Sequence, residues 1–182
     1  MSDPFLGIYP MNLLDHIEIR DNLYIGIDPG ISGGISCITS DDLFAVKCPG
    51  TIADMNDKIE AITEITNHTG YQCYATIEAV HSMPKQGVSS VFKFGKNYGE
   101  WLGILSASKI PYTQVSPQKW MKLFGSMPKE KKDRKNHIKH LAQQRYPHNK
   151  ITLATSDAIL IAEYCRYNTL SCTIPPTPKL IQ

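Results

Sequence analysis

Three acids stand where acids are uncommon. Asp28 closes the apolar run Tyr24-Ile25-Gly26-Ile27 and is followed by Pro29-Gly30 and then Gly33-Gly34. Glu78 lies inside Tyr74-Ala75-Thr76-Ile77-Glu78-Ala79-Val80, and Asp157 inside Ser156-Asp157-Ala158-Ile159-Leu160-Ile161-Ala162. A strand end is a rigid place to hold a charge, and glycines after it let a metal, a phosphate or a second backbone approach. Brought together, the three carboxylates would form an oxygen-rich cage suited to Mg²⁺ or Mn²⁺.

The second chemical signal is cationic. Nine basic residues lie from Lys119 to Arg145: Lys119, Lys122, Lys129, Lys131, Lys132, Arg134, Lys135, Lys139 and Arg145. Only Glu130 and Asp133 oppose them, although the net charge of the whole chain is +2. A local basic face on a near-neutral protein suits a polyanion. Read alone, the run could equally be a solvated helix face. Acids for metal and bases for phosphate together suggest a nuclease.

Strands and helices must bring these groups together. Residues 23–28, 34–39 and 43–47 read as three strands of an antiparallel meander, with turn residues between them. A helix over 53–67 carries Met55, Ile59, Ile62 and Thr66 on one stripe, and Gly70 closes it. A fourth strand over 74–80 follows this helical crossover, so it should run parallel to the first. After a loop at 81–87 comes a long helix over 88–108, then a short fifth strand at 111–115. Ser116-Pro117 caps a short helix reaching Phe124. The basic helix is expected over 129–145, and a last helix from a Thr155 or Ser156 cap to about Tyr167.

The long helix has two apolar faces. Val88, Val91, Phe92, Gly95, Tyr98, Gly99, Leu102 and Leu105 form one; Phe94, Trp101, Ile104 and Ser108 form the other. Either its own domain covers both, or one packs on a second subunit.

The 182 residues, 42% hydrophobic, suit one domain over 23–168, with an extension at 1–22 and a tail at 169–182. No apolar run approaches the roughly 20 residues of a membrane span, so no membrane partner is expected. The start of the chain lacks the apolar core of a secretory signal. Five scattered cysteines with no CxxC read as buried free thiols in a reducing compartment.

The chain resembles the RuvC-type Holliday junction resolvases, with its likeness nearest to the phage and organellar branch. The resemblance rests on Ile27-Asp28-Pro29-Gly30, Ile77-Glu78-Ala79-Val80, the Gly-bearing helix from Phe92 to Gly99, Val115-Ser116-Pro117-Gln118-Lys119-Trp120, and Ser156 to Ala162, in family order. It implies an α/β, RNase H-like mixed five-stranded sheet flanked by helices. It implies a homodimer that cuts opposed strands of a four-way DNA junction with two divalent ions per subunit, Mg²⁺ or Mn²⁺.

By that resemblance Asp28, Glu78 and Asp157 are metal ligands and catalytic residues. His81 would contact bases at the junction centre. Lys119 or Lys122, and Lys131 or Lys132, match family lysines, and Lys85, Arg134 and Lys135 complete the expected DNA contacts. A cytoplasmic protein encoded by a phage or other virus, or one of an organelle, would fit. One position departs from the pattern: Ala154 stands where the family usually carries another Asp or His. Two alternatives follow. One is a junction-binding protein with weak or absent cleavage. The other is a fragment of an actin-like kinase, which also opens on Asp-x-Gly but needs a second phosphate loop that this chain lacks.

Overall fold

The computed structural model of the chain describes residues 22–40, 42–79 and 87–173. Five strands form one sheet: β1 (Leu23–Asp28), β2 (Gly34–Ile38), β3 (Leu43–Lys47), β4 (Cys73–Glu78) and β5 (Tyr112–Val115). Their order is β3-β2-β1-β4-β5. β1 pairs antiparallel with β2 and parallel with β4; β2–β3 is antiparallel and β4–β5 parallel. Five helices complete the fold: α1 (Ile52–Thr69), α2 (Val88–Ala107), α3 (Pro117–Lys122), α4 (Lys131–Arg145) and α5 (Ser156–Thr173).

The period-2 alternation of β1 divides the core. Leu23, Ile25 and Ile27 join Met55, Ile59 and Ile62 of α1 and Trp101, Ile104 and Leu105 of α2 in one cluster. On the alternate residues, Tyr24 packs with Ala162 and Cys165 of α5. Gly26 carries this second contact further. A Cβ there would collide with the Ala158 carbonyl and the Ala162 backbone. Glycine therefore lets α5 lie directly on the sheet. Ser36 Oγ of β2 fixes the same helix by donating to Ala158 O at 2.8 Å. Ala158 to Ala162 of α5 is an unbroken apolar run because it is fully buried between the sheet and α4.

Local details shift several expected boundaries. α1 starts at Ile52 because Thr51 Oγ1 accepts from Asp54 N, and Gly70 ends it with a φ of 75°. α4 starts at Lys131 rather than 129, and α5 continues to Thr173 rather than Tyr167. α5 begins at Ser156, directly after Thr155, and in the turn leading into it Thr152 and Thr155 bond each other. Thr152 Oγ1 accepts from Thr155 N at 3.3 Å, while Thr155 Oγ1 accepts from Thr152 N at 3.0 Å. This is a reciprocal two-threonine box in the turn ahead of the helix.

α2 presents one face to its own domain. Trp101 and Leu105 are fully buried and Ile104 nearly so. Val88 and Phe92 are 86% and 72% exposed, and nothing stands within 4 Å of a Cβ at Gly95, Gly99 or Gly103. Among the described residues, this domain leaves the Val88–Phe92–Gly95–Gly99 face open. Cys37, Cys48, Cys73 and Cys165 are free thiols, all but Cys73 buried, as expected.

Candidate active site

The register of the parallel pair fixes two of the acids. Ile27 lies opposite Ile77, and Asp28 and Glu78 are the next residue on each strand. By alternation both leave the α1–α2 core and turn to the α5 side, where Asp157 stands in the first turn of α5. The three carboxylates feel one another. Burial, then Asp157, then Glu78 push the Asp28 carboxyl up to about 8, against the pull of Lys135. Burial also raises Glu78 above the usual carboxylate range; Asp157 adds to this, while Trp120 and Lys135 oppose it. An excess of buried negative charge is what a cation site needs.

Two donors reach this cluster. Trp120 Nε1 donates to Glu78 Oε2 at 2.7 Å. The indole is fully buried. It is placed there by the Ser116 cap of α3, directly after β5, whose Val115 pairs with Glu78. Lys135 Nζ donates to Asp157 Oδ2 at 2.7 Å. Burial works against the ammonium, but Asp157, then Asp28 and Glu78, outweigh it and hold Lys135 above the ordinary lysine range. Among the described residues no hydrogen bond reaches the Asp28 carboxylate.

The turn after Asp28 is shaped for close approach. Gly30 has a φ of 106°, a conformation that favours glycine. A Cβ there would fall 2.8 Å from Phe94 Cε2. Asn97 Oδ1 accepts from Gly30 N at 2.7 Å, so the inner face of α2 pins this turn. Gly34, paired with Asp28, lies against the Ala154 carbonyl. Ala154 therefore borders the acids, as its spacing from Asp157 suggests.

The donor set is three carboxylates, which fits a hard divalent cation. As the side chains stand, no three His, Cys, Asp or Glu among the described residues are arranged to hold a metal ion, and Lys135 occupies one oxygen of Asp157. Asp28, Glu78 and Asp157 are the residues that would ligate.

The expected DNA contacts divide. Lys119, Lys122, Lys131 and Lys132 are exposed. Arg134 instead spends Nη1 on Pro128 O and Lys129 O, at 3.2 and 2.8 Å, bracing the turn into α4. Lys135 joins the acids. It shares a stripe with Ile138 and Ala142, the buried residues of α4, at spacings of three and seven. That spacing was present in the sequence but hidden within a charged run. His81 and Lys85 lie outside the described residues. Sequence reasoning gave Trp120 no task and missed Asn97 altogether.

The fold is similar to two solved structures of one protein. One is T. thermophilus RuvC in complex with Holliday junction substrate: 15% identity, a TM-score of 0.55, and coverage of 86% of this chain and 99% of that one. The other is a Thermus thermophilus RuvC structure: 16% identity, a TM-score of 0.54, and coverage of 85% and 99%. No protein-family model and no curated protein sequence matches the chain. The likeness establishes the RuvC-like, RNase H-like fold, with the expected five-stranded sheet. It gives no support to the phage or organellar branch.

Proposed function

We propose that the protein is a structure-selective endonuclease that resolves four-way DNA junctions by paired, symmetric phosphodiester hydrolysis. The observation that carries this reading is the convergence of Asp28, Glu78 and Asp157 on one side of the sheet, beside the basic helix α4. On a RuvC-like fold that is the combination a metal-dependent nuclease requires. Two divalent ions, when bound, would activate water and neutralise charge on the scissile phosphate.

The chain's own residues would do the rest. Asp28, at a strand end, supplies the central carboxylate. Glu78 is held through one oxygen by Trp120, which leaves its second oxygen for a ligand. Exposed Lys119, Lys122, Lys131 and Lys132 would lie along the phosphate backbone, positioning DNA without reading its bases. A homodimer would present two such sites to two strands, and a twofold junction suits a twofold protein. The open face of α2, with Val88 and Phe92 exposed beside three glycines, is the surface we assign to that contact.

Ala154 and the Lys135–Asp157 pair favour a second reading, a junction-binding protein with weak or absent cleavage. Incubation of labelled four-way junction and matched linear duplex with Mg²⁺ or Mn²⁺ decides between them. Paired symmetric nicks in the junction alone support the resolvase. Equal cutting of both substrates indicates a general nuclease. Binding without cutting, with either metal, indicates the second reading.

A further inference from the structure

The acid cluster already contains a cation. Lys135 Nζ sits 2.7 Å from Asp157 Oδ2; the aspartate is 6% exposed and the lysine 38%. Lys135 belongs to the buried stripe of α4, with Ile138 and Ala142, so packing delivers it there. The two exposed lysines at the start of the same helix, Lys131 and Lys132, are not delivered in this way.

A divalent ion ligated by Asp157 would stand within a few ångströms of this ammonium. Like charges at such a distance repel strongly in a site that is shielded from water. Both cations cannot share the carboxylate cheaply. A lysine on a flexible four-carbon stem, more than a third exposed, can leave.

We infer that Lys135 is a built-in counter-cation that holds the acid cluster together in the metal-free protein and must be displaced when a divalent ion binds, so that it sets the metal affinity of the site. The inference rests on the reading of the acids as metal ligands. It makes Lys135 a positioning and competing residue rather than only another phosphate contact. A plain structural ion pair would strengthen the fold and leave metal binding alone, or would favour it by holding Asp157 in place.

The test uses the full chain without DNA, with Mn²⁺ as the probe in calorimetry and melting in chelator as the second readout. Lys135→Met keeps the length of the stem and removes the charge. It should bind Mn²⁺ at least about tenfold more tightly than the parent and melt several degrees lower in chelator. Saturating Mn²⁺ should close that gap in melting temperature. Lys135→Arg should bind as weakly as the parent, and Lys150→Met, at an exposed lysine, should change neither readout. Equal or weaker Mn²⁺ binding by Lys135→Met, with parent binding intact, overturns the inference and leaves the acids as ligands. Absence of Mn²⁺ binding in both overturns the metal-site reading together with it.

A measurement on the unaltered protein does not depend on the variant folding. Amine labelling read by peptide mass spectrometry should find Lys135 protected in chelator and labelled several-fold faster with saturating Mg²⁺. Lys150 should be indifferent. A Lys135 labelling rate that metal leaves unchanged also overturns the inference.

Discussion

Trp120 and Glu78, 42 positions apart, are joined by a 2.7 Å hydrogen bond from the indole N–H to one carboxylate oxygen. A hydrogen bond to a charged group contributes about 1.5–3 kcal/mol, and leaving a buried carboxylate without it costs at least as much. Trp120→Phe keeps a ring in the core and removes the donor. It should lower stability by about 1–3 kcal/mol in urea unfolding. Because a group that orients a ligand tunes the site, it should also weaken metal binding or cleavage by about 10–100-fold. The effect on metal affinity is opposite in sign to that of Lys135→Met. Lost stability with unaltered metal affinity and cleavage would make Trp120 a core residue only.

Asp28 sets a pH dependence. Its pKa is raised from about 3.9 to about 8, so the folded, metal-free protein holds that proton more tightly than the unfolded chain. The sign follows: stability is highest below the ordinary Asp range and falls as pH rises toward about 8, by up to about 1.4 kcal/mol per pH unit. Glu78, raised too, adds in the same direction. Lys135 titrates above this window. Asp28→Asn should flatten the slope between pH 5 and 8 and make the chelated protein more stable than the parent at pH 8. It should abolish cleavage while sparing junction binding. Urea midpoints across that range in chelator check the first part, and a gel-shift assay beside a nicking assay checks the second. An unchanged slope would mean that Asp28 is not the buried acid of this cluster.

How much of this was legible in the sequence depends on how local the cause is. Asp28 and Glu78 stood out because a carboxylate inside an apolar run is expensive, and the glycines after Asp28 leave room for a partner to approach. The meander and the parallel crossover followed from strand patterns and a helix of the right length. The task of Trp120 did not, because Trp120 is on α3 and its partner on β4, and only the β4–β5 register brings them together. Lys135 carried a visible signal, its spacing to Ile138 and Ala142, but eight other basic residues around it pointed toward one exposed face. For α2 the sequence showed two apolar faces and could not rank them. Packing of Trp101 and Ile104 in the core turns the second face inward, and Leu105 of the first face is buried with them. A charge at Trp101 would be buried in the core and unfold the chain.

The open face of α2 gives a test of assembly. Phe92→Asp places a charge at an exposed residue of the Gly95–Gly99–Gly103 stripe, so the single chain should fold and melt nearly as the parent does. Light scattering at micromolar concentration should move from twice the chain mass to one chain mass. If the parent is already a monomer, and stays one on adding junction, the dimer is wrong.

Lys131 and Lys132 are exposed and belong to no ion pair among the described residues. Lys131→Ala with Lys132→Ala should leave folding and metal affinity intact. Junction binding should weaken, and the slope of log K against log salt should fall by about 0.9 for each phosphate that is no longer neutralised. Fluorescence anisotropy across a salt series measures it. A weaker complex with an unchanged slope would show that the two lysines do not touch phosphate.

Ala154 lies three residues before Asp157 in the turn that the Thr152–Thr155 box closes, and its carbonyl abuts Gly34, the partner of Asp28. A carboxylate there would sit on the same side of the helix start as Asp157. Ala154→Asp therefore adds a fourth acid to a cluster that has one resident cation. In chelator this should destabilise the protein, because another partly buried negative charge joins three existing ones. With Mg²⁺ the same change should raise metal affinity and cleavage rate. If Ala154 was introduced in place of a ligand in an otherwise intact site, the gain should reach at least about 100-fold, close to 2.7 kcal/mol in the barrier. If water or a neighbouring residue completes the shell, the gain should be smaller. The opposite signs of the two effects identify the mechanism, since a merely disruptive substitution would lower both stability and rate. A fall in both metal affinity and cleavage would place position 154 outside the ligand shell.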